Sequence, residues 1–273
     1  MKQYDLSDLI YLMERLRDPE FGCPWDIKQD FASIVPHTIE ECYEVVDAIE
    51  TKDWTHLSQE LGDLLFQIIF YSQLASEQDL FAMKDVIHGL VEKLVRRHPH
   101  VFPNQQLREK ITVSLSEAQI AATWDDIKAQ ERKDKKADKP LEHRILDDIP
   151  NALPALTRAE KIQKRASSVG FDWQDLGPVI EKIEEELQEL KEAVDSGNID
   201  HVKDEMGDFL FAQVNLARHL GVNAEEALRG TNQKFYRRFG YVEEQVKKQG
   251  KDWQQFELDQ LDEYWDEAKG KGL

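Results

Sequence analysis

A pattern of four acidic residues occurs twice in this chain, with the same internal spacing each time. Two glutamates three residues apart are followed, sixteen residues after the second, by a glutamate and an aspartate three apart, and the whole set recurs 145 residues later. In a helix, positions i and i+3 lie on one face, so each copy offers two carboxylate pairs on two helices. Carboxylates directed at one point repel one another unless a cation lies between them. The pattern predicts a divalent-metal site, built once from Glu41, Glu44, Glu60 and Asp63 and again from Glu186, Glu189, Glu205 and Asp208.

The repeat extends well beyond the acids. Residues 60–66 (ELGDLLF) match residues 205–211 (EMGDFLF), and Trp124 matches Trp265 at the smaller offset of 141. The change of offset predicts four extra residues in the first copy, in the loop near positions 76–84. A repeat of this length indicates duplication of a whole domain rather than a solenoid unit.

A charged, proline-punctuated run separates the two copies. It runs from Lys128 to Pro140 with few apolar residues, and Pro150 and Pro154 interrupt the segment that follows. Such a composition is typical of a linker. We therefore place the boundary near residue 140 and expect domains at 1–139 and 140–273.

Apolar side chains recur at helical spacing around the acids, in residues 39–49, 57–74 and 179–194. Residues 155–166 are expected to form the first helix of the second copy. No strand-like alternation of useful length occurs, so the chain is predicted to be all-α, with about four helices in each half. Pro178 stands where a helix could begin and Gly197, at the other end of the same segment, where it could end.

Two glycines interrupt the acidic helices. Gly62 and Gly207 each lie within an acidic motif, mid-helix, where glycine costs roughly 1 kcal/mol relative to alanine. Either close helix packing or room for a metal and a phosphate would explain them. Trp25 and Trp173, which occupy matching places in the two copies, are expected in the core.

Composition excludes several classes of protein. The net charge is −19 over 273 residues, which argues against non-specific nucleic-acid binding. Two cysteines make a disulfide framework or a zinc site improbable on spacing. No apolar run reaches membrane-spanning length, and residues 1–8 lack the apolar segment of a signal peptide. We therefore expect a cytoplasmic protein without a nucleic-acid or membrane partner.

An all-carboxylate site favours Mg²⁺, with Mn²⁺ as a substitute, because both prefer oxygen ligands. A di-iron centre is the weaker alternative, since helical di-iron sites use Glu-x-x-His pairs and neither quartet has a histidine three residues on. Mg²⁺ is usually bound together with substrate phosphates, which need positive charge. Lys182 precedes Glu186 by one turn, Lys234 and Arg238 can share a helix face, and Trp265 offers a ring that could stack on a base.

These motifs carry a family resemblance. The sequences EExxE at 40–44 and 185–189, each followed by ExGD, resemble the MazG-type nucleoside triphosphate pyrophosphohydrolases. The stretches 15–26 (RLRDPEFGCPWD), 96–102 (RRHPHVF) and 161–173 (KIQKRASSVGFDW) resemble the full-length tandem form. The resemblance covers the chain from about Leu9 to Trp265.

The resemblance implies Mg²⁺-dependent hydrolysis of nucleoside triphosphates, ATP included, to nucleoside monophosphate and pyrophosphate. Water would attack the α-phosphorus, with one glutamate, not identifiable from sequence, orienting or deprotonating it. It also implies all-α homodimers that pair helices into four-helix-like cores. The implied metal ligands, which also carry the catalytic role, are Glu186, Glu189, Glu205 and Asp208, and the implied nucleotide contacts are Lys182, Lys234, Arg238 and Trp265.

The second copy is expected to be the main catalytic one. The first keeps its acids, but His37 stands in the place of Lys182 and is a weaker grip on phosphate near neutral pH. Three other functions stay open: a narrower dUTP, dCTP or phosphoribosyl-ATP pyrophosphatase, a nucleotide sensor without turnover, and a helical scaffold. The tandem layout argues against the first, and the intact quartets argue against the other two.

Overall fold

The computed structural model describes residues 3–108 and 144–273. The chain divides into two compact units, one within residues 1–139 and the other within 140–273. The boundary predicted near residue 140 lies outside the described residues. Within those residues every regular element is an α-helix or a short 3₁₀ turn, which confirms the all-α prediction.

The acidic residues of the first unit lie on a helical hairpin. Lys52 ends the first of its helices in the left-handed conformation, and the Asp53 side chain caps the second by accepting from the backbone N–H groups of Thr55 and His56. The helices then pack along each other. In chain order, the described helices of this unit are α1 (Leu6–Leu16), α2 (Pro24–Ile27), α3 (Phe31–Thr51), α4 (Trp54–Glu77) and α5 (Met83–Arg97), with α3 and α4 forming the hairpin.

The second unit repeats this hairpin. Gly197 ends its first helix with a φ of 69°, as predicted, and Asn198 caps the next. The first helix begins at Leu176, two residues before Pro178, because Asp175 already has the extended backbone of an N-cap. The described helices are α6 (Ala155–Ser167), α7 (Leu176–Ser196), α8 (Ile199–His219), α9 (Ala224–Gln249) and α10 (Leu258–Gly270), with α7 and α8 forming the hairpin.

Each hairpin is backed by the first long helix of its own unit. In the first unit α1 packs on α4 through an apolar cluster that includes Met13, Ile34 and Phe70. In the second unit α6 packs on α8, and Val179 and Val214 are among the buried residues. Burial of these side chains fixes each hairpin against the helix that backs it.

The four extra residues of the first copy lie mainly in a helix, so their predicted place in a loop was largely wrong. α4 is 24 residues long and its counterpart α8 is 21. The added turn is stabilised by the residue that follows α1, since Arg17 Nη2 lies 2.6 Å from Glu77 Oε2. Only one added residue lengthens the connection between α4 and α5.

None of the helices in the described ranges has the length and apolar composition that a membrane crossing requires.

Candidate active site

Three carboxylates converge on the hairpin of the second unit. One oxygen each from Glu186 on α7 and from Glu205 and Asp208 on α8 lie within 4.8 Å of one another. Glu189, the fourth predicted ligand, is outside this group but close to it. Burial and the negative charges of Glu186 and Glu205 raise its pKa. Three of the four predicted ligands therefore form one group, and the fourth, Glu189, lies near it.

Glu186 is the most enclosed of these acids. Its side chain is buried, with a residue exposure of 6 %. Oε1 accepts from the Lys182 ammonium at 2.8 Å, whereas Oε2 is shielded from solvent and has no hydrogen-bond partner. A buried carboxylate oxygen without a partner is costly, and a bound cation would satisfy it. The donor set, oxygen atoms only, fits a hard divalent ion.

The first unit assembles its acids in a similar way. Oxygens of Glu41, Glu44 and Glu60 lie within 4.8 Å of one another, and Asp63 is the near neighbour. A hydrogen bond with Glu60 raises the pKa of Glu44, and burial, followed by the charge of Asp63, raises the pKa of Glu41. The cluster therefore holds more negative charge than its surroundings neutralise.

The cation beside the acids differs between the units. Lys182 bridges Glu186 and Glu185, the latter at 3.0 Å, and these carboxylates raise its pKa. His37, which stands at the same position of the first copy, approaches Glu40 at 3.8 Å instead of the cluster. Of these two matched residues, only Lys182 therefore places a fixed positive charge against a carboxylate of its acidic cluster.

Two histidines that contact the acidic clusters are not among the site residues predicted from the sequence. His56 Nδ1 lies 3.0 Å from Glu60, and His201 Nε2 lies 3.1 Å from Glu205. Each histidine precedes its glutamate by one turn, and the two are 145 residues apart, so the same repeat offset could have revealed them. They orient the first carboxylate of the second helix in each hairpin.

A cavity of about 650 Å³ opens beside the acids of the second unit. This volume is within the range of roughly 300–1,000 Å³ that is usual for small-molecule sites. The cavity wall contains residues of the acidic cluster together with apolar and other polar side chains. Its lining includes Lys182, Glu186 and Asp208, the aromatic residues Phe171, Trp173 and Phe211, and the polar residues Gln163, Asp172, Asn215 and Arg218.

An ion pair between Arg218 and Asp172 fixes residues 171–173, a segment of the cavity wall that carries two aromatic side chains. Arg218 Nη2 donates to both carboxylate oxygens of Asp172 at 2.7 Å, and His219 Nε2 lies 3.0 Å from one of them. Burial alone would raise the pKa of Asp172, but hydrogen bonds from Arg218, Ser167 and His219 lower it to about 2. Asp172 is thereby fixed to the end of α8.

The tryptophans expected in the core are not there. Trp173 is 43 % exposed and forms part of the cavity wall, because the neighbouring Asp172 is tied to α8. Trp25 is 53 % exposed and meets the ring of His37 edge-on, with centroids 6.0 Å apart. The core prediction was wrong for both residues.

Three of the four predicted nucleotide contacts lie outside the cavity lining. The Arg238 guanidinium stacks over Trp265, 5.7 Å from the ring centroid, and donates to the Leu273 carbonyl at 2.7 Å. Lys234 is exposed on α9, one turn before Arg238. Lys182 alone of this set lines the cavity. The matching Trp124 of the first copy lies outside the described residues.

Comparison with known proteins matches both halves of the chain to one family. The MazG nucleotide pyrophosphohydrolase domain matches at residues 29–102 and again at 174–242, and each match contains one acidic hairpin. The chain belongs to the MazG family.

Two relatives extend the MazG match over nearly the whole chain. It is 48 % identical to a nucleoside triphosphate pyrophosphohydrolase of Escherichia coli K12, over 97 % of both chains. It is 45 % identical to the nucleoside triphosphate pyrophosphohydrolase/pyrophosphatase MazG of Thermotoga maritima, over 97 % of this chain and 95 % of the relative. A crystal structure of a mazG-related protein from the same organism aligns with 45 % of this chain at 24 % identity and a TM-score of 0.38. Family membership rests on the sequence matches.

Proposed function

We propose that this MazG-family chain hydrolyses nucleoside triphosphates, ATP included, to nucleoside monophosphate and pyrophosphate, and that the second unit is the main catalytic one. The coarse activity, nucleoside triphosphate pyrophosphohydrolysis, is that of relatives 45–48 % identical over almost the full chain. The observation that carries the assignment to the second unit is the acidic cluster with Lys182 at the edge of a cavity of nucleotide size.

Mg²⁺ is the proposed metal, with Mn²⁺ as a substitute. Glu186, Glu205 and Asp208 would hold it, and Glu189 would join them or hold a second ion. The partnerless Oε2 of Glu186 supports this assignment. When bound, the ion supplies positive charge to the phosphate oxygens and lowers the pKa of water. Glu41, Glu44, Glu60 and Asp63 are proposed to hold a divalent ion in the first unit.

The protein residues would position the reactants. Lys182 would bind phosphate oxygens, because it lines the cavity and its ammonium contacts Glu186 of the cluster. One glutamate of the cluster would accept a proton from the water that attacks the α-phosphorus. Lys234, Arg238 and Trp265 are proposed to contact the nucleotide from α9 and α10, where Arg238 lies over the ring of Trp265 and Lys234 precedes Arg238 by one turn.

We propose a homodimer as the assembly. Large apolar side chains are exposed along the second hairpin, a surface that a second copy could cover by completing a four-helix core. The acidic charge and the lack of a spanning helix in the described ranges support nucleotides rather than nucleic acid or membrane as partners, and a cytoplasmic location stays a prediction. The exposed side chains include Ile180, Leu187, Val194, Met206 and Leu210.

The decisive experiment identifies the products. ATP and a panel of other nucleoside and deoxynucleoside triphosphates would be incubated with the full chain and Mg²⁺ in ¹⁸O-labelled water, with EDTA and Glu186→Gln as controls. We expect pyrophosphate and a monophosphate that carries the label. Release of nucleoside diphosphate and inorganic phosphate, or label in the pyrophosphate, would contradict the proposal. Mg²⁺-dependent binding without any product would instead favour a nucleotide sensor.

A further inference from the structure

The cavity of the second unit contains a hydrogen-bond acceptor that nothing satisfies. Gln163, on α6, is only 7 % exposed and lines the cavity. Its Nε2 donates to the backbone carbonyl of Phe211 at 2.8 Å, while its Oε1 is shielded from solvent and has no partner. The bond to a carbonyl fixes the amide orientation, because the flipped amide would set oxygen against oxygen.

A second amide of the cavity is fixed in the opposite sense. Asn215, on α8, is 8 % exposed, and its Oδ1 accepts from Arg218 Nε at 3.1 Å and from Arg218 Nη2 at 2.7 Å. Arg218 is itself held by Asp172. With Oδ1 engaged, the side chain has only its Nδ2 donors left for a ligand. Gln163 and Asn215 therefore give the cavity one oriented acceptor and one oriented donor.

The position of Asn215 on α8 sets its distance from the acidic cluster. Asp208 and Asn215 are seven residues apart on α8, close to two full turns, so they share one face of the helix and are separated by roughly 10 Å along its axis. Phe211 and Ala212 lie between them on the same face and also line the cavity. A nucleoside triphosphate whose α-phosphate lies at the acids places the far edge of its base at about this separation.

We propose that Gln163 and Asn215 bind the hydrogen-bonding edge of the nucleobase, with Gln163 Oε1 accepting from the base and Asn215 Nδ2 donating to it. Phe171, Trp173 and Phe211 provide the apolar surface that the base faces need. Every nucleobase has a neighbouring donor and acceptor on its Watson–Crick edge, so this pair accepts several bases. The inference rests on the proposed function only for the identity of the ligand.

The test compares substrates with and without a base. Gln163→Met removes the acceptor at nearly constant volume, and Asn215→Asp removes the donor while keeping an oxygen for Arg218. For both variants we expect kcat/KM for ATP to fall about three- to tenfold, the effect of one neutral hydrogen bond, mainly through KM. Hydrolysis of ribose 5-triphosphate should be unchanged. Gln249→Met, at the exposed end of α9, is the matched control and should behave as wild type.

A modified base tests the acceptor directly. N6,N6-dimethyl-ATP lacks the amino hydrogens that would donate to Gln163 Oε1. The ratio of kcat/KM for ATP to kcat/KM for this analogue should therefore be about three- to tenfold larger for wild type than for Gln163→Met. Equal losses of ATP and ribose 5-triphosphate hydrolysis in the variants would overturn the proposal and assign a structural or sugar-binding role. If wild type hydrolyses no triphosphate, the proposed function fails. Equilibrium binding of ATP and its dimethyl analogue to the same proteins would then decide the base contact.

Discussion

The two units carry the same acids but differ in what surrounds them. In the second unit Lys182 contacts the acidic cluster, and the polar side chain of Asn215 on α8 lines a cavity. In the first unit His37 turns to Glu40, and the residue that matches Asn215 is Phe70, which is fully buried against Met13. The comparison shows that both copies cluster their acids, whereas the polar cavity surroundings are present in the second.

The difference has an electrostatic side. The first cluster has no lysine in contact with its carboxylates at the matched position. The pKa of Glu41 is raised by burial and by its acidic neighbours, and that of Glu44 by a hydrogen bond with Glu60 and by burial. A cation would relieve this repulsion without any substrate. We therefore expect a structural or regulatory ion in the first unit, and in the second an ion that is bound together with phosphate.

The largest expected effect separates the clusters directly. Glu186→Gln should lower kcat/KM for ATP by roughly 10²–10³, because a metal that stabilises the transition state by several kcal/mol loses a ligand. Glu41→Gln should change it less than about threefold. Pyrophosphate release from both variants checks this prediction, with circular dichroism as the control for folding. Equal losses would mean two working sites or strict coupling between the units.

Exchange of the flanking cation gives the next effect. Lys182→His should lower kcat/KM about ten- to a hundredfold at pH 8, where imidazole is neutral, because a charge-assisted hydrogen bond to phosphate is worth about 1.5–3 kcal/mol. His37→Lys, the reciprocal change, should leave the rate near that of wild type. An increase in rate with His37→Lys would show instead that the first unit is a site limited by its missing lysine.

The ion pair of the cavity wall predicts a pH dependence. The pKa of Asp172 is lowered to about 2, so its contribution to stability is fully present above the unfolded pKa near 3.9 and is lost as the pH falls towards 2. Asp172→Asn should therefore cost about 2 kcal/mol at pH 7 and progressively less below pH 4. Urea titrations at several pH values measure this difference.

Asp200→Asn is the control for that experiment. Asp200 pairs with Lys203 in solvent, with 86 % of its side chain exposed, so its loss should cost less than about 1 kcal/mol at any pH. A pH-independent cost of Asp172→Asn would indicate that Asp172 acts through packing rather than through its charge.

The smallest effect concerns the matched glycines. A Cβ at Gly62 or Gly207 would meet nothing within 4 Å, so close packing inside a unit does not require either glycine. Alanine should stabilise each helix by about 0.4–1 kcal/mol. If the space beside Gly207 is used by the ligand, only Gly207→Ala should also lower kcat/KM. Thermal unfolding and pyrophosphate release measure the two effects, and destabilisation by both variants would place a partner chain against the glycines.

The hairpins and their acids could be predicted from sequence because both depend on local rules. Helical spacing puts Glu186 and Glu189 on one face, and a two-residue connection ending in an Asn or Asp cap brings the next helix back alongside. The identical offset of His56 and His201 carries a similar signal.

The cavity could not be predicted in this way, since it depends on contacts between distant segments. Gln163 is defined as a candidate only by its bond to Phe211, 48 residues away, and Trp173 is exposed only because the turn beside it is tied to Arg218. A tryptophan in a motif matched between the copies suggested core packing, and no local pattern separates that role from a place in a cavity wall. The predicted roles of Lys234, Arg238 and Trp265 stay predictions.

The contact between Lys182 and Glu186 has a consequence for the order of binding. The lysine is already the counter-ion of Glu186 through Oε1, so a divalent ion that binds at the free Oε2 must share the charge of that carboxylate with it. Phosphate oxygens offer the ammonium a new partner and thereby release the carboxylate to the ion. By reciprocity, each of the two ligands should then strengthen the binding of the other, and the metal–nucleotide complex should bind far more tightly than either component alone.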